Sequence, residues 1–177
     1  MQGNKSLLER LARLPGGKRL FWILAQRFIA GEKVEDALDQ TAHLNALGFP
    51  VILDYVGENN QSFGAIQTAE EKYLAVFSLA RKRDLNAEVS LKLTQFGLET
   101  DRYRRWWEDC PEILLILEEA SQSAVRMWLD AELLETRDSL WNFVEFALEK
   151  VSFLGAAFQA YGNAGFNIAS AAYGGSA

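Results

Sequence analysis

The sequence predicts an α/β protein in which about four strand-helix units follow a group of amino-terminal helices. Three observations support this fold class: short apolar runs recur between residues 49 and 161, stretches of helical periodicity separate them, and a polar residue ends or follows each run. Strands that alternate with helices form parallel sheets with right-handed crossovers. We therefore expect a parallel sheet with helices packed against it.

The beginning of the chain has the pattern of helices. A first helix is expected to begin at a serine-glutamate capping box and to end before Pro15. A second is expected over about 18–31 and a third over about 34–48, because glycine favours helix termination at the end of each. We assign residues 1–48 to these amino-terminal helices.

Four runs with strand character follow, and helices separate them. The first of these helices is expected to open at a capping box formed by Thr68 and Glu71, and the next two to cover about 103–120 and 137–148. The runs are short, and each is apolar or rich in β-branched residues. They are Val51–Leu53, Val89–Leu91, Val125–Leu129 and Ser152–Phe158.

The strand-helix units are too few to close a standard barrel. An eight-fold barrel of such units needs about 250 residues, with about 200 near its lower limit, whereas this chain has 177 residues. We expect a partial (β/α)8 (TIM) barrel over residues 49–161. The Gly, Ala and Ser-rich residues 162–177 are expected to be an atypical or disordered tail.

Polar side chains stand where each predicted strand ends. Asp54 follows the first run, Lys92 the second, Asp130 the third and Gln159 the fourth. Their intervals of 38, 38 and 29 residues each match the length of one strand-helix unit. In a parallel sheet all four therefore lie at the edge where the strands have their carboxyl ends, which is where α/β enzymes keep their active sites.

Composition excludes several classes of protein. A formal net charge of -6 and a pI near 4.9 provide no positive field for nucleic acid. Cys110 and His43 are each the only residue of their type, so an internal disulfide or a cysteine-based zinc cluster is excluded and no metal site is expected. The polar start shows no secretion signal, and the apolar stretch Leu20–Ala30 is too short to span a bilayer. We expect a cytoplasmic protein.

The strand ends and the residues around them closely resemble proline dehydrogenases, an FAD-dependent family of (β/α)8 barrels. The Lys-Leu-Thr-Gln-x-Gly segment is fairly specific, and the motifs occur in the family's order from about Gln26 to Tyr161. The resemblance covers the amino-terminal half of such an enzyme. Its motifs are Leu44–Gly48 (LNALG), Leu53–Glu58 (LDYVGE), Val89–Leu98 (VSLKLTQFGL), Leu129–Glu132 (LDAE) and Phe158–Tyr161 (FQAY).

The resemblance implies an activity and a role for each strand-end residue. The family oxidises L-proline to pyrroline-5-carboxylate, with FAD as hydride acceptor and a membrane quinone as electron acceptor. By analogy, Lys92 binds the substrate carboxylate, Asp130 contacts both flavin and substrate, Gln159 binds the isoalloxazine ring and Asp54 lines the substrate pocket. Contact with the inner membrane is then expected to be peripheral at most.

Alternatives to these roles remain open. Asp54 and Asp130 can equally cap the loops after their strands, Lys92 can be a strand-end lysine that reaches solvent, and Gln159 can satisfy loop backbone. Residues 162–177 lack the charged helix that the family has next, which suggests a truncated chain that is inactive alone. The alternatives are a non-catalytic half-barrel used for assembly, or one half of a two-chain enzyme. Self-association or a complementing barrel half is expected, because open sheet edges pair or aggregate.

Overall fold

A computed structural model describes residues 28–57, 60, 62–97, 110–131 and 137–157, without the side chains of 137–139. The described residues form helices and strands that alternate along the chain. In order they are α1 (Val34–Ala46), β1 (Val51–Asp54), α2 (Phe63–Lys82), β2 (Ala87–Leu91), a short 3-10 helix (Leu93–Phe96), α3 (Pro111–Ser123), β3 (Met127–Leu129), α4 (Arg137–Leu148) and β4 (Leu154–Ala156).

The strands form one parallel sheet in the order β1-β2-β3-β4. Val51 pairs with Ala87, Val89 with Met127, and Met127 with Leu154. Each strand thus lies beside the next one in sequence, with a helix in each crossover, as in a (β/α)8 barrel. This arrangement confirms the predicted fold class, an α/β fold whose four-stranded parallel sheet is consistent with a partial (β/α)8 barrel.

Side chains alternate between the two faces of the sheet, and the helices cover one of them. In β2, Ala87, Val89 and Leu91 are buried, whereas Glu88 and Ser90 between them are only partly buried. This is the period of two expected for a strand with one covered face. We call the other face, which includes Glu88, Ser90 and their neighbours across the sheet, the open face.

Apolar residues three or four positions apart hold the helices on the covered face. The buried residues of α2 are Ala69, Tyr73, Phe77 and Ala80, a spacing that places them on one side of a helix. Helix α3 begins with Pro111 at its first position, where a missing N–H is harmless. It buries the same kind of stripe, with Ile113, Ile116, Leu117 and Ala120.

Helices α1 and α2 end in the same hydrogen-bonded turn. After α1, the N–H of Gly48 donates to Asn45 and that of Phe49 to Leu44, with Gly48 at φ 88°. This is a Schellman motif, whose left-handed residue is most often glycine. The prediction that this helix stops at Gly48 is confirmed. After α2 the left-handed position is occupied by Asp84, at φ 52°.

Several predicted boundaries were wrong. The helix expected over 18–31 does not reach Gly31, since residues 28–31 are not helical. Helix α2 begins at Phe63, because Ser62 caps it by accepting the N–H of Ala65; Thr68 lies inside the helix and donates to a backbone carbonyl. Strands β3 and β4 are shorter than predicted. The predictions for residues 1–27 and 158–177 lie outside the described residues.

Candidate functional site

Three of the four predicted strand-end residues converge at the carboxyl edge of the sheet. Asp54 is the last residue of β1, Lys92 follows β2 and Asp130 follows β3. The N–H of Asp130 donates to the carbonyl of Leu91 at 2.9 Å, so the parallel pairing continues one step past β3. Gln159, the fourth predicted residue, lies outside the described residues.

The ammonium group of Lys92 lies between the two carboxylates. Its Nζ is 2.9 and 2.8 Å from Oδ1 and Oδ2 of Asp54, and 3.2 Å from Oδ2 of Asp130. The Lys92 side chain is 11% exposed, whereas both aspartates are partly exposed. We call these three residues the lysine cluster. It combines a buried cation with carboxylates that solvent or a ligand can reach.

The charges around Lys92 keep its side chain protonated. Burial lowers the pKa of Lys92, but hydrogen bonds to Asp54 and Asp130 and their negative charges outweigh burial and raise it above its ordinary value. At neutral pH the cluster thus contains one positive and two negative charges. The excess negative charge faces the open side of the sheet.

The cluster contains groups of both charges that a ligand could contact. An ammonium group has three N–H donors, and three carboxylate oxygens of Asp54 and Asp130 already lie close to Lys92 Nζ. A carboxylate ligand must therefore displace an aspartate oxygen from Lys92. A cationic amine on the same ligand can bind one of the two aspartates in return, which offsets the loss of an ion pair to Lys92.

A buried glutamine lies directly behind the lysine cluster. Oε1 of Gln95 accepts hydrogen bonds from the hydroxyl of Tyr73 at 2.6 Å and from the backbone N–H of Lys92 at 3.3 Å. Its Nε2 donates to the carbonyl of Tyr55 at 2.5 Å. Burial raises the pKa of Tyr73, as does the charge of Asp54, so its hydroxyl remains a donor. The sequence analysis included Gln95 in the Lys-Leu-Thr-Gln-x-Gly segment but assigned it no role of its own.

A second group of polar residues lies on the open face, farther from the carboxyl edge of the sheet. Arg126 Nη1 is 3.2 Å from Oε1 of Glu88, and Trp128 Nε1 donates to Oε2 of the same carboxylate at 2.5 Å. The ring of Trp128 lies against Gly155 of β4, where a Cβ atom would clash with it. We call Glu88, Arg126 and Trp128 the mid-sheet cluster. The sequence analysis missed it, although alternation along β2 and β3 places all three on one face.

A groove runs along β1 and reaches the lysine cluster. Its volume is about 660 Å³, and it lies between α1, β1, α2 and the residues that precede α1. Exposed apolar side chains line much of it. The lining includes Leu44, Ile52, Leu53, Asp54, Val56 and Tyr73.

Within 28–57, 60, 62–97, 110–131 and 137–157, no group of three or more His, Cys, Asp or Glu side chains is arranged to hold a metal ion. None of the helices in the described part of the chain combines the length and apolarity needed to cross a bilayer. His43 is exposed on α1.

Fold and site together define a class of protein. A parallel sheet of consecutive strand-helix units, with charged residues gathered at its carboxyl edge, is the arrangement of β/α-barrel proteins that bind ligands there. Comparisons with known proteins narrow this class. No protein-family model matches the chain.

Curated relatives carry the name proline dehydrogenase. The chain is 32% identical over 138 residues to proline dehydrogenase 1 of Bacillus subtilis (strain 168), which covers 77% of this chain and 44% of that protein. It is 28% identical over 98 residues to proline dehydrogenase 2 of Bacillus subtilis subsp. natto, covering 55% and 31% respectively. The chain thus spans less than half the length of these relatives. The chain is similar to the amino-terminal half of proteins named proline dehydrogenase.

Solved structures show the same fold. Proline utilization A (PutA) from Bdellovibrio bacteriovorus superposes with a TM-score of 0.64 at 21% identity, covering 81% of this chain and 18% of that one. A PutA mutant from Bradyrhizobium japonicum superposes with a TM-score of 0.60 at 19% identity, covering 83% of this chain and 16% of that one. The similarity at this level of identity concerns the fold alone.

Proposed function

We propose that this chain forms the part of a proline dehydrogenase pocket that binds the substrate carboxylate. In this proposal L-proline is oxidised to pyrroline-5-carboxylate with FAD as hydride acceptor. The observation that carries the proposal is the ammonium group of Lys92, held between Asp54 and Asp130 at the carboxyl edge of a parallel sheet. The names of the relatives supply the substrate.

Each residue of the lysine cluster has a distinct role in the proposal. Lys92 binds the carboxylate of proline, since a buried, protonated amine is a strong partner for an anion. Asp130 accepts a hydrogen bond from the ring nitrogen of proline and faces the flavin. Asp54 lines the substrate pocket and keeps Lys92 paired until the substrate replaces it. The ion pair that Asp54 gives up is then replaced by one between Lys92 and the substrate carboxylate.

The chemistry at the carboxyl edge of the sheet fits a flavin. Asp130 supplies a hydrogen-bond acceptor there, and the isoalloxazine ring has an N–H donor. When bound, FAD accepts the hydride from proline. Asp130 would hold it together with Gln159. The reduced flavin needs an electron acceptor, which we propose is a quinone reached by a cytoplasmic protein through peripheral contact with the inner membrane.

One observation favours a second candidate function, namely a half-barrel that assembles with another chain. Ile52 and Val56 on the open side of β1 are 57% and 78% exposed, and β1 has a partner strand on one side only within the described residues. An uncovered edge with apolar side chains is a surface on which another strand can pair. The partner would be a second copy or a complementing barrel half, with or without catalysis.

Flavin spectroscopy tests the proposed function. The purified chain is mixed with FAD, freed of unbound flavin and mixed anaerobically with L-proline, with D-proline as the control. We expect retained flavin absorbance that bleaches with L-proline and not with D-proline. Retained flavin without bleaching, or no retained flavin in either the monomeric or the self-associated fraction, contradicts the proposed activity. Light scattering on the same sample tests the assembly function, which a stable monomer would exclude.

A further inference from the structure

Gln95 is an unusual residue to find in the core of this protein. Its side chain is 0% exposed, and it lies in the short 3-10 helix among the buried residues Leu93 and Phe96. A buried amide without partners costs about 1–3 kcal/mol, so its contacts decide whether it is tolerated. The three hydrogen bonds made by Gln95 remove that cost.

Two of these hydrogen bonds reach the backbone at the ends of β1 and β2. Oε1 accepts the N–H of Lys92 itself, and Nε2 donates to the carbonyl of Tyr55, the residue that follows Asp54. A single planar amide therefore connects the main chain of one member of the lysine cluster with the residue next to another. The third bond, from the hydroxyl of Tyr73, fixes the orientation of the amide from α2.

The amide lies where the sheet no longer holds the two strands together. The paired register of β1 and β2 ends at Asp54 and Ser90, two residues before Lys92. Beyond that point the distance between the segments that follow β1 and β2 depends on other contacts. Gln95 spans this position, and the Lys92–Asp54 ion pair of 2.8 Å lies directly in front of it.

We infer that Gln95 is a positioning residue that sets the distance between Lys92 and Asp54 by holding the ends of β1 and β2 together. It acts through the backbone and does not contact the ligand. The inference deepens the proposed function, since it names what keeps the carboxylate-binding lysine in register. It concerns the chain without flavin or substrate, so it can be tested even if the proposed activity fails.

A purely structural role makes a different prediction. If Gln95 only satisfies polar groups in the core, then removing its amide and removing the hydroxyl of Tyr73 should both lower stability and leave Lys92 paired. Tyr73→Phe is therefore a matched control: it removes a hydrogen bond to the same amide but leaves both backbone contacts of Gln95 in place. A positioning role predicts that only the loss of the amide releases Lys92.

The test observes the ammonium group of Lys92 by ¹⁵N-resolved NMR at mildly acidic pH and low temperature. An ammonium group held by two carboxylates exchanges slowly with water and gives a signal, which Lys92→Met identifies by its absence. We expect this signal in the wild-type chain and in Tyr73→Phe, and its loss in Gln95→Met, which keeps the length of the side chain. A signal retained in Gln95→Met, or absent from the wild-type chain, overturns the inference.

A second variant covers the case in which Gln95→Met does not fold. Gln95→Glu has the same shape, and its neutral form can still donate to Tyr55 and accept from Lys92. We expect the Lys92 signal while the introduced carboxyl is neutral and its loss once that carboxyl ionises. A signal that persists after ionisation contradicts the positioning role.

Discussion

The two polar clusters on the open face are built from the same strands but differ in charge balance and burial. The mid-sheet cluster pairs Glu88 with Arg126 one to one, and the Arg126 side chain is 50% exposed. The lysine cluster sets two carboxylates around one buried ammonium group. An exposed ion pair with balanced charges contributes little to stability, and it needs no ligand to neutralise it. Buried groups with shifted pKa values, such as Lys92, are concentrated at functional sites.

The two clusters also differ in their position along the strands. Glu88 and Trp128 lie within β2 and β3, where the neighbouring strand and Gly155 fix the surroundings of each side chain. Lys92 and Asp130 lie just past the strand ends, where loops can differ without disturbing the sheet. The same face of the sheet therefore serves packing at its middle and, in the proposed function, ligand binding at its carboxyl edge.

The largest expected difference between the clusters concerns activity. We expect Lys92→Met to reduce the rate of flavin reduction at low proline concentration by roughly 10- to 100-fold, since a hydrogen bond to a charged group contributes about 1.5–3 kcal/mol. Arg126→Met is the matched control in the mid-sheet cluster, because it also replaces a cation by a methionine. Its rate is expected to stay at the wild-type value. Stopped-flow absorbance measures the rate of flavin reduction in both variants. Equal losses of rate would show that the two clusters do not differ in their effect on activity.

The next largest effect concerns stability in the middle of the sheet. In Gly155→Ala the added methyl group would overlap the ring of Trp128, so we expect the free energy of unfolding to fall by roughly 1–3 kcal/mol. Gly64→Ala is the control, since no atom lies within 4 Å of its added methyl group. Urea unfolding compares the two. If both variants unfold at the same urea concentration, Trp128 does not rest on β4 as described.

The smallest effect is the contribution of Lys92 to the pH dependence of stability. The pKa of Lys92 is raised above 10.5 in the folded chain, so its contribution to stability is present below 10.5 and is lost as the pH rises through the folded value. We expect the stability of the wild-type chain to fall more steeply above this pH than that of Lys92→Met. Arg126→Met should keep the wild-type slope. Parallel curves for the wild type and Lys92→Met would contradict the raised pKa.

Local patterns in the sequence were sufficient to predict much of the fold. Helix α4 occupies the predicted residues 137–148, and the parallel order of strands follows from their alternation with helices. The start of α2 was predicted wrongly because Ser62 and Thr68 have similar capping chemistry. Only the structure shows that Ser62 binds the N–H of Ala65, whereas Thr68 bonds within the helix.

The site could be predicted only in part. The intervals between Asp54, Lys92 and Asp130 indicated a common edge, and the structure brings these three side chains together. Their roles stay predictions. The contacts of Gln95 with Tyr55 and the pairing within the mid-sheet cluster depend on strand register and on side-chain reach across the sheet, neither of which a single sequence specifies.

The proposed function requires that a ring carboxylate binds at Lys92 and not elsewhere on the open face. The most direct test titrates the ¹⁵N-labelled chain, mixed with FAD, with cyclopentanecarboxylate, which has a carboxylate on a five-membered ring but no nitrogen to oxidise. We predict saturable amide shifts concentrated at Asp54, Lys92 and Asp130, and their absence in Lys92→Met. Shifts centred on Glu88 and Arg126, or shifts that persist in Lys92→Met, would contradict the account.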